Sequence, residues 1–405
     1  MAFTKLFQYY EHERFLPTFG NFENAAKLAQ YATARHTIFA EKLSLPIRLF
    51  DNANVLEFGP DTGENALVFA QWGANLTLSE PNKNAHDQIR SYFERFALGD
   101  RLRHIGETDI EGFAGEERYD IIDAEGFIYT VQPTSLWLRV FGENLKPGGY
   151  AIVSYYETHG AFIELTLKAI HWAYKALTSL PPEEAALNLY ESKWNSIPHT
   201  RAFTSWVRDV LENPFVRLRY FLGASDLCRS ASEHGFDVHS SWPCYKDLLD
   251  IYWHKKTLSR AEQLSRNAIH MDRSAFSFLS GQKMYLVGSA AEIATCREVL
   301  NALVAQMDAL IDQPLGDGLP VLLSGLRQLR QLAETANVLV DDEGSIGNFQ
   351  TFLQTLESIF NAVQRRDLGE ITRLTNTDRS FISAWGMPTH FLVLRKRSDA
   401  PLETV

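Results

Sequence analysis

A glycine turn directly after an apolar strand is the feature that most constrains this chain. Residues 55–63 read Val-Leu-Glu-Phe-Gly-Pro-Asp-Thr-Gly, and a helical pattern begins at Glu64. Glycine is needed where the backbone turns sharply or approaches a ligand closely. A strand, a glycine turn and a helix in this order place a ligand outside the carboxyl end of a strand in an open α/β sheet. The residues that we expect at this site are Glu57, Gly59, Asp61 and Gly63.

The following segments alternate between short apolar strands and helical patterns. Residues 74–78 form a strand candidate, and Glu80 follows it roughly 20 residues beyond the glycine turn, where an acidic side chain can accept hydrogen bonds from both hydroxyls of a ribose. The alternation continues over residues 55–153 and predicts a parallel sheet with helices on both faces. Right-handed crossovers then bring the glycine turn, Glu80, Asp109 and Glu125 to one edge of the sheet.

These segments, taken in order, resemble the class I S-adenosylmethionine (SAM) methyltransferases. The Glu-x-Gly-x-x-x-Gly spacing at residues 57–63 differs from the dinucleotide fingerprint Gly-x-Gly-x-x-Gly and is similar to the first motif of that family. Residues 144–149, Asn-Leu-Lys-Pro-Gly-Gly, are similar to the turn before its fifth strand. The resemblance covers residues 55–153 and implies SAM as the cofactor, with Glu80 on the ribose and Asp109 on the adenine side.

The resemblance also implies acceptor-side residues after the fourth and fifth strands. The methyl group of SAM is already electrophilic, so the enzyme mainly positions an acceptor and sometimes removes a proton. Glu125 and Tyr129 follow the fourth strand. Glu125 either orients or deprotonates the acceptor, or it binds loop backbone or the methionine part of SAM. His159 follows the fifth strand and is either a general base or a solvated loop residue.

Residues 157–225 depart from the family pattern just after the fifth strand. An aromatic-rich helix pattern covers residues 161–177, and a pair of prolines ends it. An insertion whose ends lie near the cofactor edge can exclude water and shape the acceptor pocket. The residues that we expect to bind the acceptor are His199, Arg201 and Trp206. Arg201 would face an anionic group, and the alternative for His199 and Arg201 is an ordinary surface salt bridge.

The rest of the chain completes a predicted architecture: a Rossmann-like, mostly parallel seven-stranded sheet with a helical lid insertion and an added C-terminal helical domain. Two segments, 283–287 and 390–394, compete for the last strand, which should be antiparallel to the sixth. The predicted organisation is an N-terminal helical segment over the cofactor cleft (1–50), a SAM-binding core (51–156), a lid (157–225), a return to the core sheet (226–289), a C-terminal helical domain (290–380), and a last strand and tail (381–405).

Composition narrows the classes of partner. The net charge of −11 provides no electrostatic footprint for general nucleic-acid binding, so no nucleic-acid partner is expected. The three cysteines form no pair typical of a disulfide framework, and the histidines show no metal-binding spacing. The sequence contains neither a signal peptide pattern nor a run of 18 apolar residues. We therefore expect a cytoplasmic protein without a membrane span or a metal site.

The sequence thus predicts a SAM-dependent methyltransferase that acts on an oxygen or nitrogen atom of a small polar acceptor. A sugar or nucleotide-sugar of a surface-polysaccharide or specialised-metabolite pathway is the preferred acceptor class, by analogy at the level of the fold. Two alternatives stay open. One is a non-catalytic SAM-binding or interaction protein that uses the C-terminal helices, and the other is a protein or RNA methyltransferase. The same helices are the predicted contact of a homo-oligomer.

Overall fold

The computed structural model describes residues 3–16, 22, 24–115, 118–198, 201–246, 258–335, 339–341 and 344–398. The chain forms two compact units. The first, which we call the sheet unit, comprises Met1–Tyr155, Asp226–Tyr245 and His390–Val405. The second, the helical unit, comprises Tyr156–Ser225 and Lys246–Thr389.

Strands of the described residues form two separate sheets. The strands are β1 (Asn54–Phe58), β2 (Asn75–Ser79), β3 (Leu102–Gly106), β4 (Tyr119–Ala124), β5 (Leu145–Tyr156), β6 (Phe236–Trp242), β7 (Met284–Leu286), β8 (Leu339–Asp341) and β9 (Thr389–Lys396). Seven of them form one sheet in the order β3-β2-β1-β4-β5-β9-β6. The pairs among β1 to β4, and β4 with β5, are parallel, whereas β6 and β9 are antiparallel. This confirms the predicted Rossmann-like, mostly parallel seven-stranded sheet.

The order of the strands reverses at β1, which lies between β2 and β4. Open α/β sheets bind ligands at such a switch point, outside the carboxyl ends of the strands. The glycine turn that follows β1 therefore lies where this rule expects a ligand. Of the two competing segments, 390–394 is the last strand of this sheet, since β9 pairs with β6. The other segment contains β7, which pairs with β8 in a separate two-stranded sheet.

The helices of the described residues surround the sheet or build the helical unit. They are α1 (Leu6–Glu13), α2 (Ala25–His36), α3 (Glu64–Gln71), α4 (Lys83–Arg95), α5 (Thr134–Asn144), α6 (Phe162–Thr178), α7 (Pro182–Trp194), α8 (Phe203–Trp206), α9 (Ala224–Glu233), α10 (Arg260–Ser280), α11 (Ala290–Asp312), α12 (Gly318–Thr335), α13 (Ser345–Arg365), α14 (Leu368–Thr377) and α15 (Arg379–Ser383). The side chain of Asn24 caps α2 by accepting hydrogen bonds from the N–H groups of Ala26 and Lys27, both at 3.1 Å.

Aromatic side chains of the segment before β1 pack against α3. Phe39 and Phe50 are fully buried, and the rings of Phe50 and Phe69 stack with centroids 5.0 Å apart. Such rings bury large apolar areas and add a favourable ring–ring term to the hydrophobic free energy. This packing fixes the segment before β1 next to α3, the helix that begins at the glycine turn.

In the helical unit, α6 packs against α7 and α11, and α12 packs against both α11 and α13. Residues 157–225 and 290–380 are separated in the sequence and were predicted to serve as a lid and a C-terminal domain. In the structure they belong to the same unit. The helical spacing that was predicted for the C-terminal part is present as α11 to α14, interrupted only by β8 within the described residues.

Candidate active site

The glycine turn after β1 adopts a conformation that only glycine fits without strain. Gly59 has φ +61°, and a Cβ atom there would lie 2.8 Å from Cε1 of Phe127. Gly63 has φ +88°, and its Cβ would lie 3.1 Å from Cγ1 of Ile89. Real Cβ atoms avoid contacts this short, and the left-handed region disfavours residues with a Cβ. The absence of a side chain at Gly59 therefore makes room for the Phe127 ring, and its absence at Gly63 makes room for Ile89.

Glu80 connects the end of β2 to the glycine turn. Its carboxylate oxygens accept hydrogen bonds from the N–H groups of Asp61 at 2.9 Å and Asn82 at 2.7 Å. The side chain is 4% exposed, and this burial raises the pKa of Glu80 to about 8. Once ionised, each carboxylate oxygen has a second lone pair that can accept a hydrogen bond from a ligand hydroxyl. The structure thus brings together Glu80 and Asp61.

A second group of carboxyls lies inside the sheet beside the same turn. Glu57 on β1 and Asp123 on β4 are neighbours in register and are 2% and 0% exposed. Oε2 of Glu57 and both carboxyl oxygens of Asp123 have no hydrogen-bond partner among the described residues. Burial, followed by the negative charge of Glu125, raises the pKa of Glu57 and of Asp123 well above the ordinary range. We call Glu57, Asp123 and Glu125 the acid cluster.

A cation from the N-terminal helix α2 binds the third member of the acid cluster. Nη1 of Arg35 donates to Oε2 of Glu125 at 2.8 Å, and its Nη2 forms a second bond to Oε1. Such a two-pronged contact holds a carboxylate in one orientation. Arg35 itself is buried, with its guanidinium carbon 4.7 Å from the centre of the Phe39 ring. The ion pair with Arg35 is compatible with both predicted roles of Glu125.

Arg35 and Asp123 were not among the residues expected from the sequence. Asp123 was detectable in principle, because a charged residue in the apolar run of a buried strand is costly unless it has a function or a partner. Arg35 carries no such signal, since arginine is common on the polar face of a helix. Only the folded chain shows that this arginine points inward.

Asp109 and Tyr129, two further predicted residues, follow the carboxyl ends of β3 and β4. Asp109 forms an ion pair with Lys5, and its other oxygen accepts a hydrogen bond from the N–H group of Gly112 at 3.0 Å. Tyr129 is buried in a short helical turn, Ile128–Thr130. Both residues lie at the edge of the sheet that the topology predicted, and their contacts with adenine and acceptor stay predictions.

His159 is buried in the helical unit, so the alternative that it is a solvated loop residue is wrong. Its Nε2 lies 2.8 Å from Oδ1 of Asn301, and its Nδ1 lies 3.6 Å from Oε1 of Glu157. Burial alone would lower the pKa of His159, but the charge of Glu157 and the hydrogen bonds with Glu157 and Asn301 together outweigh it and raise the pKa above the ordinary value. The role of His159 as a base stays a prediction.

The predicted acceptor residues lie within the segment 199–206 of the helical unit. Nη1 of Arg201 donates to Oδ2 of Asp209 at 2.6 Å, so the salt bridge of the alternative interpretation is present. Trp206 is buried, with its ring centroid 5.5 Å from that of Trp194 and 5.9 Å from that of Tyr190. His199 lies outside the described residues. The binding of an acceptor by these three residues stays a prediction.

Two further features bear on the chemistry. Within the described parts of the chain, no group of three or more histidine, cysteine, aspartate or glutamate side chains has the arrangement of a metal site. No helix in those parts is long and apolar enough to cross a membrane. The arrangement therefore offers a glycine turn, a hydrogen-bonding carboxylate and a buried acid cluster, all at the switch point of the sheet.

Several known proteins are similar to parts of this chain. No curated protein sequence matches the chain significantly. The glycopeptide N-methyltransferase MtfA complexed with sinefungin aligns with 20% identity over 32% of this chain and 56% of MtfA, with a TM-score of 0.27. PKMT2 from Rickettsia typhi aligns with 17% identity over 52% of this chain and 43% of PKMT2, with a TM-score of 0.36.

The N-methyltransferase NodS from Bradyrhizobium japonicum WM9, in complex with S-adenosylhomocysteine, aligns with 20% identity over 37% of this chain and 73% of NodS, with a TM-score of 0.28. This chain spans about half the length of MtfA (56%) and less than half that of PKMT2 (43%). A family model described as a methyltransferase domain matches residues 25–241, which is more than half of the 405 residues. This match confirms the resemblance: the chain belongs to the methyltransferase domain family.

Proposed function

We propose that this protein is a SAM-dependent methyltransferase that transfers a methyl group to an oxygen or nitrogen atom of a small polar acceptor. One observation carries the proposal: the glycine turn at Gly59 and the buried carboxylate of Glu80 adjoin at the switch point of the sheet. Membership in the methyltransferase domain family supports it. We propose SAM as the cofactor on the same grounds.

The residues present fit the chemical groups of SAM. Glu80 has lone pairs for the two ribose hydroxyls, and the loop of Asp109 is available for the adenine side. SAM carries a positively charged sulfur and an ammonium group, and the acid cluster holds buried carboxyl oxygens that lack hydrogen-bond donors. A cationic ligand is the kind that such oxygens stabilise.

The chemistry requires little from the protein besides orientation and proton removal. When bound, SAM supplies an electrophilic methyl carbon on a sulfur that leaves as a neutral thioether. The lone pair of the acceptor atom forms the new bond, and an O–H or N–H acceptor loses one proton. We propose Glu125, Tyr129 and His159 as the catalytic candidates. Glu125, held by Arg35, orients the acceptor or takes its proton, and His159, paired with Glu157, is the other candidate base.

For the acceptor we propose a sugar or nucleotide-sugar that carries an anionic group. Arg201 supplies the positive charge, and His199 and Trp206 complete the proposed set. One observation supports Arg201. Its Nη1 donates to Oδ2 of Asp209 at 2.6 Å, which holds the guanidinium in place, and the guanidinium has further N–H donors besides this one. A guanidinium can bind a phosphate or carboxylate through two parallel hydrogen bonds.

Calorimetry and turnover test the proposal in two steps. Titration of the full chain with SAM and S-adenosylhomocysteine should show binding of both. Incubation with SAM and a panel of nucleotide-sugars should then form S-adenosylhomocysteine, and mass spectrometry should locate the methyl group on the acceptor. An absence of SAM binding would overturn the proposed function. Binding without turnover on any acceptor class would favour the alternative of a non-catalytic SAM-binding protein.

A further inference from the structure

The carboxyl groups of Glu57 and Asp123 lie side by side within the sheet, at the place where β1 and β4 end. The two residues are paired in register, so their side chains project from the same face of neighbouring parallel strands. Asp123 lies within hydrogen-bonding reach of Glu125, yet neither of its oxygens accepts a hydrogen bond from a donor of the described residues. Two carboxyl groups as close as those of Asp123 and Glu125 repel each other unless one of them holds a proton.

More acidic than basic groups surround Glu57 and Asp123. The titratable and charged groups that face it come from every element packed around it: Tyr31 and Arg35 from α2, Glu64 from α3, Glu80 after β2 and Glu125 after β4. Arg35 is the one cation among these groups, and both prongs of its guanidinium bind Glu125. The carboxyl of Glu64 accepts a hydrogen bond from the hydroxyl of Thr62 at 2.6 Å. The charge of Arg35 lowers the pKa of Glu57 and of Asp123, but by less than burial and the charge of Glu125 raise it.

Burial settles the protonation of the pair in the ligand-free protein. A buried carboxylate without a direct ion pair or a hydrogen-bond donor is strongly disfavoured in its charged form, so it takes up a proton instead. The pKa of each of the two groups is accordingly raised well above its ordinary value by burial and then by the charge of Glu125. The pair therefore keeps its protons to a higher pH than an exposed pair would.

We propose that the cationic cofactor enters this edge in exchange for protons, so that its binding releases at least one proton from Glu57 and Asp123 to the solvent. The inference rests on the proposed function, since it takes SAM as the ligand. A positive charge near the pair favours the ionised carboxylates, and the proton that leaves balances the charge that arrives. Because binding and proton release are linked, the affinity for SAM must rise with pH.

Calorimetry of the full-length protein tests this exchange directly. SAM is titrated at one neutral pH in phosphate and in Tris, two buffers with different ionisation enthalpies. The binding heat should differ between the buffers in the direction of proton release by the protein. The affinity should also rise about tenfold per pH unit for each proton released, over the range in which the pair is protonated without ligand.

Variants show which groups release the proton. Glu57→Gln and Asp123→Asn keep the shape and the neutral state of the pair but cannot ionise, so each should reduce the buffer dependence and flatten the pH profile. The matched control is Glu143→Gln, an exposed carboxyl on α5 that pairs with Arg139 at 3.0 Å and should keep the full proton release.

The outcomes separate this inference from the proposed function. If SAM binds with equal heat in both buffers, or with proton uptake, the exchange is wrong while the cofactor assignment stands. Undiminished proton release in a folded double variant, Glu57→Gln with Asp123→Asn, also overturns it. If SAM does not bind at all, the proposed function itself fails. Proton uptake, or no proton exchange, in the unmodified protein overturns the inference without any variant, whereas the variants assign a release to the pair rather than to Glu80, whose pKa is also raised.

Discussion

Replacing Glu80 with alanine should affect stability and cofactor binding together. The substitution removes the acceptor of two backbone N–H groups, those of Asp61 at 2.9 Å and Asn82 at 2.7 Å. A buried donor without an acceptor costs about 1–3 kcal/mol, so the two bonds represent about 2–6 kcal/mol. The substitution also removes the free-energy cost of burying an acid, and this offsets part of the loss. The free energy of unfolding should therefore fall by about 1–3 kcal/mol.

Glu80→Gln is the matched comparison. Glutamine keeps one oxygen acceptor and loses the other, so the free energy of unfolding should fall by about 1 kcal/mol. Glu80→Ala should weaken SAM binding by about 10- to 1000-fold, because the ribose hydroxyls lose their acceptor. Urea unfolding followed by circular dichroism and calorimetric titration with SAM measure the two effects. A wild-type urea midpoint with unchanged SAM affinity in Glu80→Ala would refute the reasoning.

The same residue predicts a dependence of stability on pH. Burial raises the pKa of Glu80 to about 8 from its ordinary value of 4.5. Between these values the unfolded chain has lost the proton and the folded chain still binds it, so stability falls as pH rises. The contribution is fully present below pH 4.5 and is lost as the pH passes about 8. Glu80→Gln should remove this part of the profile, and an identical profile in the variant would contradict the assignment.

Three further predictions concern the glycine turn, the acceptor and the helical unit. Gly59→Val should abolish SAM binding in a folded protein, because its side chain would meet Phe127, whereas Gly347→Val, in open space on α13, should bind SAM normally; normal binding by both would reduce the turn to a structural feature. Arg201→Ala should raise the acceptor KM and leave SAM affinity intact, and an unchanged KM would remove Arg201 from the acceptor site. Lys193 is buried and its ammonium donates to the carbonyl oxygen of Phe381 at 2.7 Å and to two more carbonyls, so Lys193→Met should lower the free energy of unfolding by about 2–4 kcal/mol. Urea unfolding checks the last of these, and a change below about 1 kcal/mol would show that the carbonyls find other partners.

Local spacing in the sequence was enough to predict the glycine turn and the acidic residue beside it. The glycine turn, its two glycines and the acidic residue after β2 follow one another along the chain at distances that the backbone of a βαβ unit imposes. Gly59 and Gly63 do adopt left-handed conformations, and Glu80 does reach the turn. These features are readable because each depends on its neighbours in the sequence more than on distant segments.

The choice of the last strand could not be made from the sequence. Segments 283–287 and 390–394 are both short and apolar. The structure separates them by burial: residues 391–394 are almost wholly buried, whereas Tyr285 is 42% exposed in a two-stranded sheet. Strand propensity describes a half-buried surface and contains no information about which partner the strand finds. Pairing of β9 with β6 is a property of the assembled sheet.

The alternation of strands and helices, the glycine turn and the acidic residues of the strands are readable from the order of residues. The meeting of distant side chains depends on the folded chain. Arg35 binds Glu125 across 90 positions, and His159 lies against Asn301 across 142. The protonation of Glu57 and Asp123 depends on the same assembly, because register places the two acids together and burial removes the water that would keep them charged. Spacing along the chain constrains only near neighbours, whereas charge and burial are set by every element that packs around a group.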